Sequence, residues 1–315
     1  MVSVILTAYK GEKYIDRALR SVLSQTFQDY EILIVDEYGK DSVGSKAQSF
    51  KDGRIKYFCK SDEGPGAAVA FGITKSSYEY IAIFEQDDHW FEDKLEKQIV
   101  FLNSNPDVAL VSTDWCDGES IPEERFSALS RYSYTDNGNP FEYLLKENFI
   151  ATSSVVMRKK AVLSVAYPSA ALYQGPWDRQ LWLRLAYRYP IKVIREVLLW
   201  KYTNPTTLFN RQNYAALQYT GWVEALHYFK GISPAYERQI RHNIARSSYY
   251  AARFYLSNDN YSLFKGCIRE ATRYDMNYTI RQPYSCLFVL PVKIISILKK
   301  SKKYAYSGFI GQSIQ

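Results

Sequence analysis

The sequence predicts an α/β fold over roughly its first two thirds, a sheet with parallel strands flanked by helices, followed by a helical C-terminal extension. Three observations predict it. Short, β-branched apolar runs recur at residues 2–6, 31–35 and 80–84. Segments with apolar residues at helical spacing lie between them. Beyond residue 210 the texture changes to a continuous helical pattern rich in tyrosine.

Residues 2–6 read as a buried strand that ends at Thr7-Ala8-Tyr9. Residues 14–25 set Ile15, Ala18, Leu19, Val22 and Leu23 on one face, an amphipathic helix. Residues 31–35 are the next strand and end in Asp36-Glu37. A weaker helix over 41–50 and a short strand over 55–59 follow. Gly64-Pro65-Gly66 breaks the chain before a helix at 67–74. The strand at 80–84 ends in Glu85-Gln86-Asp87-Asp88, ahead of a helix at 94–103. Strands alternating with helices imply parallel βαβ units. Ligands of such sheets bind beyond the carboxyl ends of the strands. One acidic strand end would be read as a turn, because Asp and Glu favour turns; polar clusters at three corresponding ends point to a site. Further on, the pattern predicts strands at 108–112, 151–157 and 193–200, a hairpin turn at Asp117-Gly118 and a helix at 178–189. A domain boundary is expected near 210, with 211–275 wholly helical.

Composition narrows the function. The chain has 315 residues, 47% hydrophobic and 23% charged, which excludes general disorder and a disulfide scaffold. Cys59, Cys116, Cys267 and Cys286 lack the spacing of a zinc or redox pair, so reduced thiols are expected. With His89, His227 and His242 as the only histidines, a histidine metal site or a Ser-His-Asp triad has little material. The net charge is +7, but residues 276–315 hold six basic residues (Arg281, Lys293, Lys299, Lys300, Lys302 and Lys303) and no acidic one, leaving the rest at +1. That argues against nucleic acid as a partner of the body and for a local anionic partner of the tail. No targeting segment and no run of the roughly 20 apolar residues that span a bilayer are expected, so the location expected is cytoplasmic.

Asp87-Asp88 carries the chemistry. Adjacent carboxylates repel unless a cation or donors compensate. Mg2+ and Mn2+ prefer oxygen ligands and often bind through one or two carboxylates plus substrate phosphates. Taken alone, the pair more often means a solvated turn.

The context changes that reading. Val2-Ser3-Val4-Ile5-Leu6-Thr7-Ala8-Tyr9, Tyr14-Ile15, Ser21-Val22-Leu23-Ser24-Gln25-Thr26-Phe27, Tyr30-Glu31-Ile32-Leu33-Ile34-Val35-Asp36, Glu85-Gln86-Asp87-Asp88-His89-Trp90 and Lys94-Leu95-Glu96-Lys97-Gln98 stand in an order that strongly resembles the family-2 glycosyltransferases of the GT-A fold. The likeness is close over 1–105 and looser to about 210. It implies a GT-A domain over 1–210, with a nucleotide-sugar half at 1–105 and an acceptor half at 106–210, and a helical region at 211–315.

The resemblance also implies roles. Thr7 and Tyr9 line the nucleobase pocket, where Glu37 stands for a second Asp that accepts from the base's ring N–H. Asp88 ligates the metal, Asp87 contacts ribose or metal, and Glu85 replaces the first Asp of the DXD-type element. Asp178, ahead of Gln180-Leu181-Trp182-Leu183-Arg184-Leu185-Ala186, matches the general base; a helix N-cap is its alternative. Trp177 replaces a common Glu and either stacks on an acceptor sugar or packs. The implied reaction is an inverting transfer from a nucleotide-diphosphate sugar, UDP or dTDP, to a glycan or lipid-linked acceptor in surface polysaccharide synthesis. Mg2+ or Mn2+ is the implied cofactor.

Glu37 for Asp, Ala70 for a frequent Asn, Tyr78 for a frequent turn Gly, and Lys201-Tyr202 with Asn204 for Tyr-Arg and His depart from the family pattern. They sustain an alternative, a degenerate, non-catalytic GT-A domain that binds nucleotide or scaffolds a glycan-assembly complex. A nucleotidyltransferase would need an early Gly-rich, Lys-bearing phosphate loop, which this sequence lacks. In the tail, Ile294, Ile295, Ile297 and Leu298 form a broad apolar face beside the lysines. It reads either as an in-plane anchor on an anionic membrane surface or as a terminal helix packed on 211–275.

Overall fold

The computed structural model describes residues 1–40, 42–203 and 214–300. The chain divides into two compact units, Met1–Arg211 and Gln212–Gln315.

The first unit is built on one mixed sheet. Its strands are β1 (Val2–Ala8), β2 (Tyr30–Asp36), β3 (Ile55–Cys59), β4 (Tyr80–Glu85), β5 (His89–Trp90), β6 (Leu110–Gly118), β7 (Val156–Arg158) and β8 (Ile191–Tyr202), in the order β3-β2-β1-β4-β7-β6-β8-β5. Strands β1 to β4 are parallel. Strand β7 runs antiparallel to both neighbours, β8 is parallel to β6, and β5 closes the edge antiparallel to β8. The flanking helices are α1 (Ile15–Leu23), α2 (Val43–Ser49), α3 (Pro65–Lys75), α4 (Lys94–Ser104), α5 (Pro140–Lys146), α6 (Lys159–Ser164) and α7 (Trp177–Arg188).

Strands β1 and β2 are buried along their whole length. Covered on both faces, they read as continuous apolar runs rather than alternating ones. The register sets Thr7 beside Val35 and Glu85, and Ala8 beside Asp36. All three polar clusters therefore reach the same edge of the sheet.

Two expectations need correction. Asp117 and Gly118 turn no hairpin; they continue β6, which β8 supports to its end by pairing Asp117 with Lys201 and Gly118 with Tyr202. The strand expected from 151 starts only at Val156, after a 3-10 turn at Thr152–Ser154. There the Ser154 backbone N–H and Oγ both donate to the Ala151 carbonyl, at 3.0 and 2.6 Å. Such local bonds compete with a ladder. Helix α5 had a legible start: Asn139 Oδ1 accepts from Phe141 N at 3.0 Å, with Pro140 as the first helical residue.

Helix α3 meets the start of α7 through glycines. Gly64 adopts φ +102° and Gly66 N donates to the Tyr173 carbonyl at 3.1 Å. A Cβ on Gly66 would lie 2.8 Å from Trp177 Cγ and 2.9 Å from Tyr173 Cα. Gly66→Ala should therefore cost about 1–3 kcal/mol by overpacking, read as a lowered urea midpoint with an unchanged slope; wild-type stability would show that this joint yields.

The second unit contains α8 (Tyr214–Tyr228), α9 (Pro234–Ser257), α10 (Tyr261–Tyr274), α11 (Met276–Ile280) and α12 (Val292–Lys300). The helices expected over 211–275 are interrupted at Gly231 and Asp259, both in left-handed backbone. Ala245, Tyr249, Ala252 and Leu256 of α9 pack with Phe264, Ile268 and Ala271 of α10, Leu287, and Ile295 of α12. Helix α12 thus puts Ile295 in a core while Val292 and Ile294 stay exposed. No helix among the described residues is long and apolar enough to cross a membrane. Asn204, Lys302 and Lys303 lie outside the described residues, as do the side chains of Ile297, Lys299 and Lys300.

Candidate active site

The carboxyl ends of β1, β2 and β3 form one side of the site. Glu37 N donates to the Ala8 carbonyl at 2.9 Å, which brings Glu37 beside the Thr7–Tyr9 segment. Thr7 is buried and Tyr9 partly exposed. The Gln86 amide clamps the Tyr9 backbone: its Oε1 accepts from Tyr9 N at 3.0 Å and its Nε2 donates to Tyr9 O at 2.8 Å. Sequence reasoning gave Gln86 no role, although it lies within the acidic tetrad. Tyr9 and Tyr38 meet edge-on at 5.7 Å, with the Lys10 ammonium 5.3 Å over each ring.

Asp36 and Glu37 are adjacent but do different work. Asp36 accepts from Tyr38 N at 2.9 Å and Tyr57 Oη at 2.7 Å, so both of its oxygens hold structure. Glu37 Oε1 accepts from Lys60 Nζ at 3.0 Å and Glu63 N at 3.2 Å. Burial lifts the Glu37 carboxyl above the usual range, against the pull of Lys60 and the Glu63 N–H.

The other side is an acidic cluster with a lysine in it. Pairing of His89 with Trp200 between β5 and β8 brings Asp88 alongside Lys201 and Tyr202. Tyr202 N donates to Asp88 Oδ1 at 3.1 Å. Asp88 is 1% exposed, and its Oδ2 is buried with no hydrogen-bond partner among the described residues. Arg17 of α1 donates to the Asp87 carbonyl at 2.5 Å and stacks 4.7 Å from the Trp200 ring and 5.6 Å from that of Tyr202. Burial, reinforced by Asp87 and Glu85, raises the Asp88 carboxyl well above the usual range. Burial, with the charges of Asp87 and Asp178, pushes Glu85 up to about 7, and Lys201 opposes it. Burial works against the Lys201 charge, but Glu85, Asp88, Asp87 and Asp178 overcome it and hold the ammonium above the usual lysine range.

Asp178 belongs to this neighbourhood: Thr152 reaches its carboxylate, and Ser153, next in the chain, accepts from Glu85 N at 2.9 Å. It sits in the first turn of α7, one residue inside the helix, and does not act as its cap. Its Oδ2 accepts from Asn148 Nδ2 at 3.0 Å and Thr152 Oγ1 at 3.5 Å. Burial raises this carboxyl too. Trp177 packs: it is 3% exposed and stacks on Tyr167 at 6.3 Å. Arg17, Lys60 and Asn148 lacked any local signal, because each joins the site from a distant stretch of chain; Lys201 was marked only as a departure from the family's Tyr-Arg.

The donor set suits a hard divalent cation. The orphaned Asp88 Oδ2 is a ready ligand, with Asp87 next to it. Among the described residues no three His, Cys, Asp or Glu side chains form a closed metal cage. Two carboxylates with substrate phosphates completing the shell are the usual Mg2+ arrangement.

The model of glycosyl transferase family 2 matches residues 3–165. An uncharacterised glycosyltransferase of Rickettsia conorii is 41% identical over 105 residues, covering 33% of this chain and 17% of that protein. The chain likewise spans only 22% to 39% of three further Rickettsia relatives. The Escherichia coli UDP-Glc:alpha-D-GlcNAc-diphosphoundecaprenol beta-1,3-glucosyltransferase WfaP is 28% identical over 189 residues, 59% of this chain and 70% of WfaP. Among solved structures, residues 1–349 of Staphylococcus aureus TarS in complex with UDP-GlcNAc superpose with a TM-score of 0.69 at 13% identity, covering 95% of this chain and 91% of that one.

Proposed function

The chain belongs to the family-2 glycosyltransferases and has their GT-A fold; from that premise we propose that it transfers a sugar, with inversion, from a UDP- or dTDP-sugar to a hydroxyl of a glycan or lipid-linked acceptor in surface polysaccharide synthesis. The observation that carries the reading is the gathering of Glu85, Asp87, Asp88 and Asp178 around Lys201 at the carboxyl ends of the strands.

Thr7, Tyr9 and Glu37 hold the nucleobase, and Asp87 faces the ribose or the cation. Asp88 and Asp87 would hold Mg2+ or Mn2+, which when bound would offset charge on the departing diphosphate. Lys201 adds a fixed positive charge in the same place. Asp178, raised by burial and oriented by Asn148, takes the proton of the acceptor hydroxyl. The hydroxyl oxygen bonds to C1 as the C1–diphosphate bond breaks on the opposite face, so one displacement inverts the anomeric centre. Exposed Val292, Lys293 and Ile294 on α12 support a peripheral seat on an anionic membrane surface, close to a lipid-linked acceptor.

A thermal-shift panel of nucleotide sugars with Mn2+ tests the reading. One uridine or thymidine donor should raise the Tm, and EDTA should reverse the rise. No shift with any donor, with transfer also absent, would favour the non-catalytic alternative instead.

A further inference from the structure

Lys60 lies outside the sequence motifs that carry the resemblance, yet its ammonium meets three oxygens beside Glu37. It is 15% exposed, and all three of its N–H groups are spoken for. They reach Glu37 Oε1 at 3.0 Å, Ser61 O at 2.9 Å and Glu63 Oε1 at 3.1 Å. Glu63 closes the ring by donating its backbone N–H to the same Glu37 oxygen at 3.2 Å. The extra methylene of Glu37 takes its carboxylate out to this ring, whereas Asp36 next to it stays on Tyr38 and Tyr57.

The result is an asymmetric carboxylate. Glu37 Oε1 is fully occupied, and Oε2 has no hydrogen bond among the described residues, although the side chain is only 3% exposed. Lys60 cannot also reach a ligand without giving up a partner. Glu37 therefore offers a base a single carboxylate oxygen.

We infer that Lys60 is a positioning residue that makes Glu37 a one-acceptor reader, selecting an imide base, uracil or thymine, over guanine and cytosine. This rests on the reading that Glu37 faces the nucleobase. An imide presents one ring N–H between two carbonyls and fits one acceptor. Guanine presents an N–H beside an NH2 and would leave a donor unsatisfied on desolvation, while cytosine turns a ring lone pair towards the carboxylate. Unmatched polar groups in a buried site are what reject the wrong ligand.

The test is calorimetric titration of the full chain, with Mn2+, against UDP, GDP, CDP and N3-methyl-UDP, for wild type, Lys60→Gln and Glu37→Gln. Wild type should prefer UDP over each of the other three by at least about 10-fold. Lys60→Gln should keep its Tm within a few degrees, lose about 10-fold in UDP affinity, and bind UDP and its N3-methyl form within about threefold of each other. An undiminished preference for UDP over N3-methyl-UDP in Lys60→Gln overturns the inference. So does wild-type binding of GDP as tight as UDP, a measurement that needs no variant to fold. Unchanged UDP affinity in Glu37→Gln would instead remove Glu37 from the base pocket, a separate failure.

Discussion

Asp178→Asn is expected to bind donor nucleotide as wild type does while transfer falls by about 10²–10⁴-fold, the usual contribution of a general base. The change is nearly isosteric. Asn148 Nδ2 donates to Asp178 Oδ2, and the new amide can turn its oxygen to that donor. What goes is the basic oxygen pair. Burial disfavours the charged form here, so the neutral amide should leave the fold at least as stable. Calorimetry with UDP and Mn2+, paired with nucleotide release in the presence of an acceptor that supports wild-type turnover, separates binding from chemistry. Retained turnover would remove Asp178 as the base.

Asp88→Asn should move stability and activity in opposite directions. The wild-type carboxylate is buried, faces Asp87 and Glu85, and keeps one oxygen without a partner among the described residues. Its proton affinity, and that of Glu85, is higher in the folded protein than in the unfolded chain. A carboxyl of that kind contributes stability that is complete below its unfolded pKa and is lost as pH rises through the folded value. For Glu85 that loss begins in the ordinary glutamate range and is complete just above about pH 7. Without metal or nucleotide, wild type should therefore lose Tm between mildly acidic and mildly alkaline pH. Asp88→Asn removes one of the repelling charges, so its Tm should exceed that of wild type at pH 8 and converge with it at pH 5. Affinity for Mn2+ in the presence of UDP should fall by about 100-fold or more, since even outer-shell changes cost 10- to 100-fold. A Tm below wild type at pH 8, or unaltered Mn2+ affinity, would contradict this account.

Much of this was legible because the four parallel strands declare themselves locally. β1, β2 and β4 are short apolar runs that end in polar residues, and the sheet register does bring Thr7, Asp36 and Glu85 to one edge. Asp87, Asp88 and Asp178 were singled out through their surroundings in the sequence. The compensating partners were not, since sequence spacing says nothing of contacts across the fold. Lys201 comes from the last strand, Arg17 from the first helix, and Lys60 from the end of β3. The two-residue β5 is too short for any periodicity, and the Thr152–Ser154 turn hides in residues that suit a strand. Trp177 was ambiguous until Tyr167 and Gly66 were seen against it.

The pairing of Tyr202 with Asp88 bears on how the protein is made. During synthesis the four carboxylates emerge before the one lysine that opposes their charge and before the backbone N–H that anchors the most buried one. Domains tend to fold as units while the chain leaves the ribosome. A nascent chain that stops short of β8 therefore lacks the ammonium set among those carboxylates, and the arrival of that strand completes the cluster.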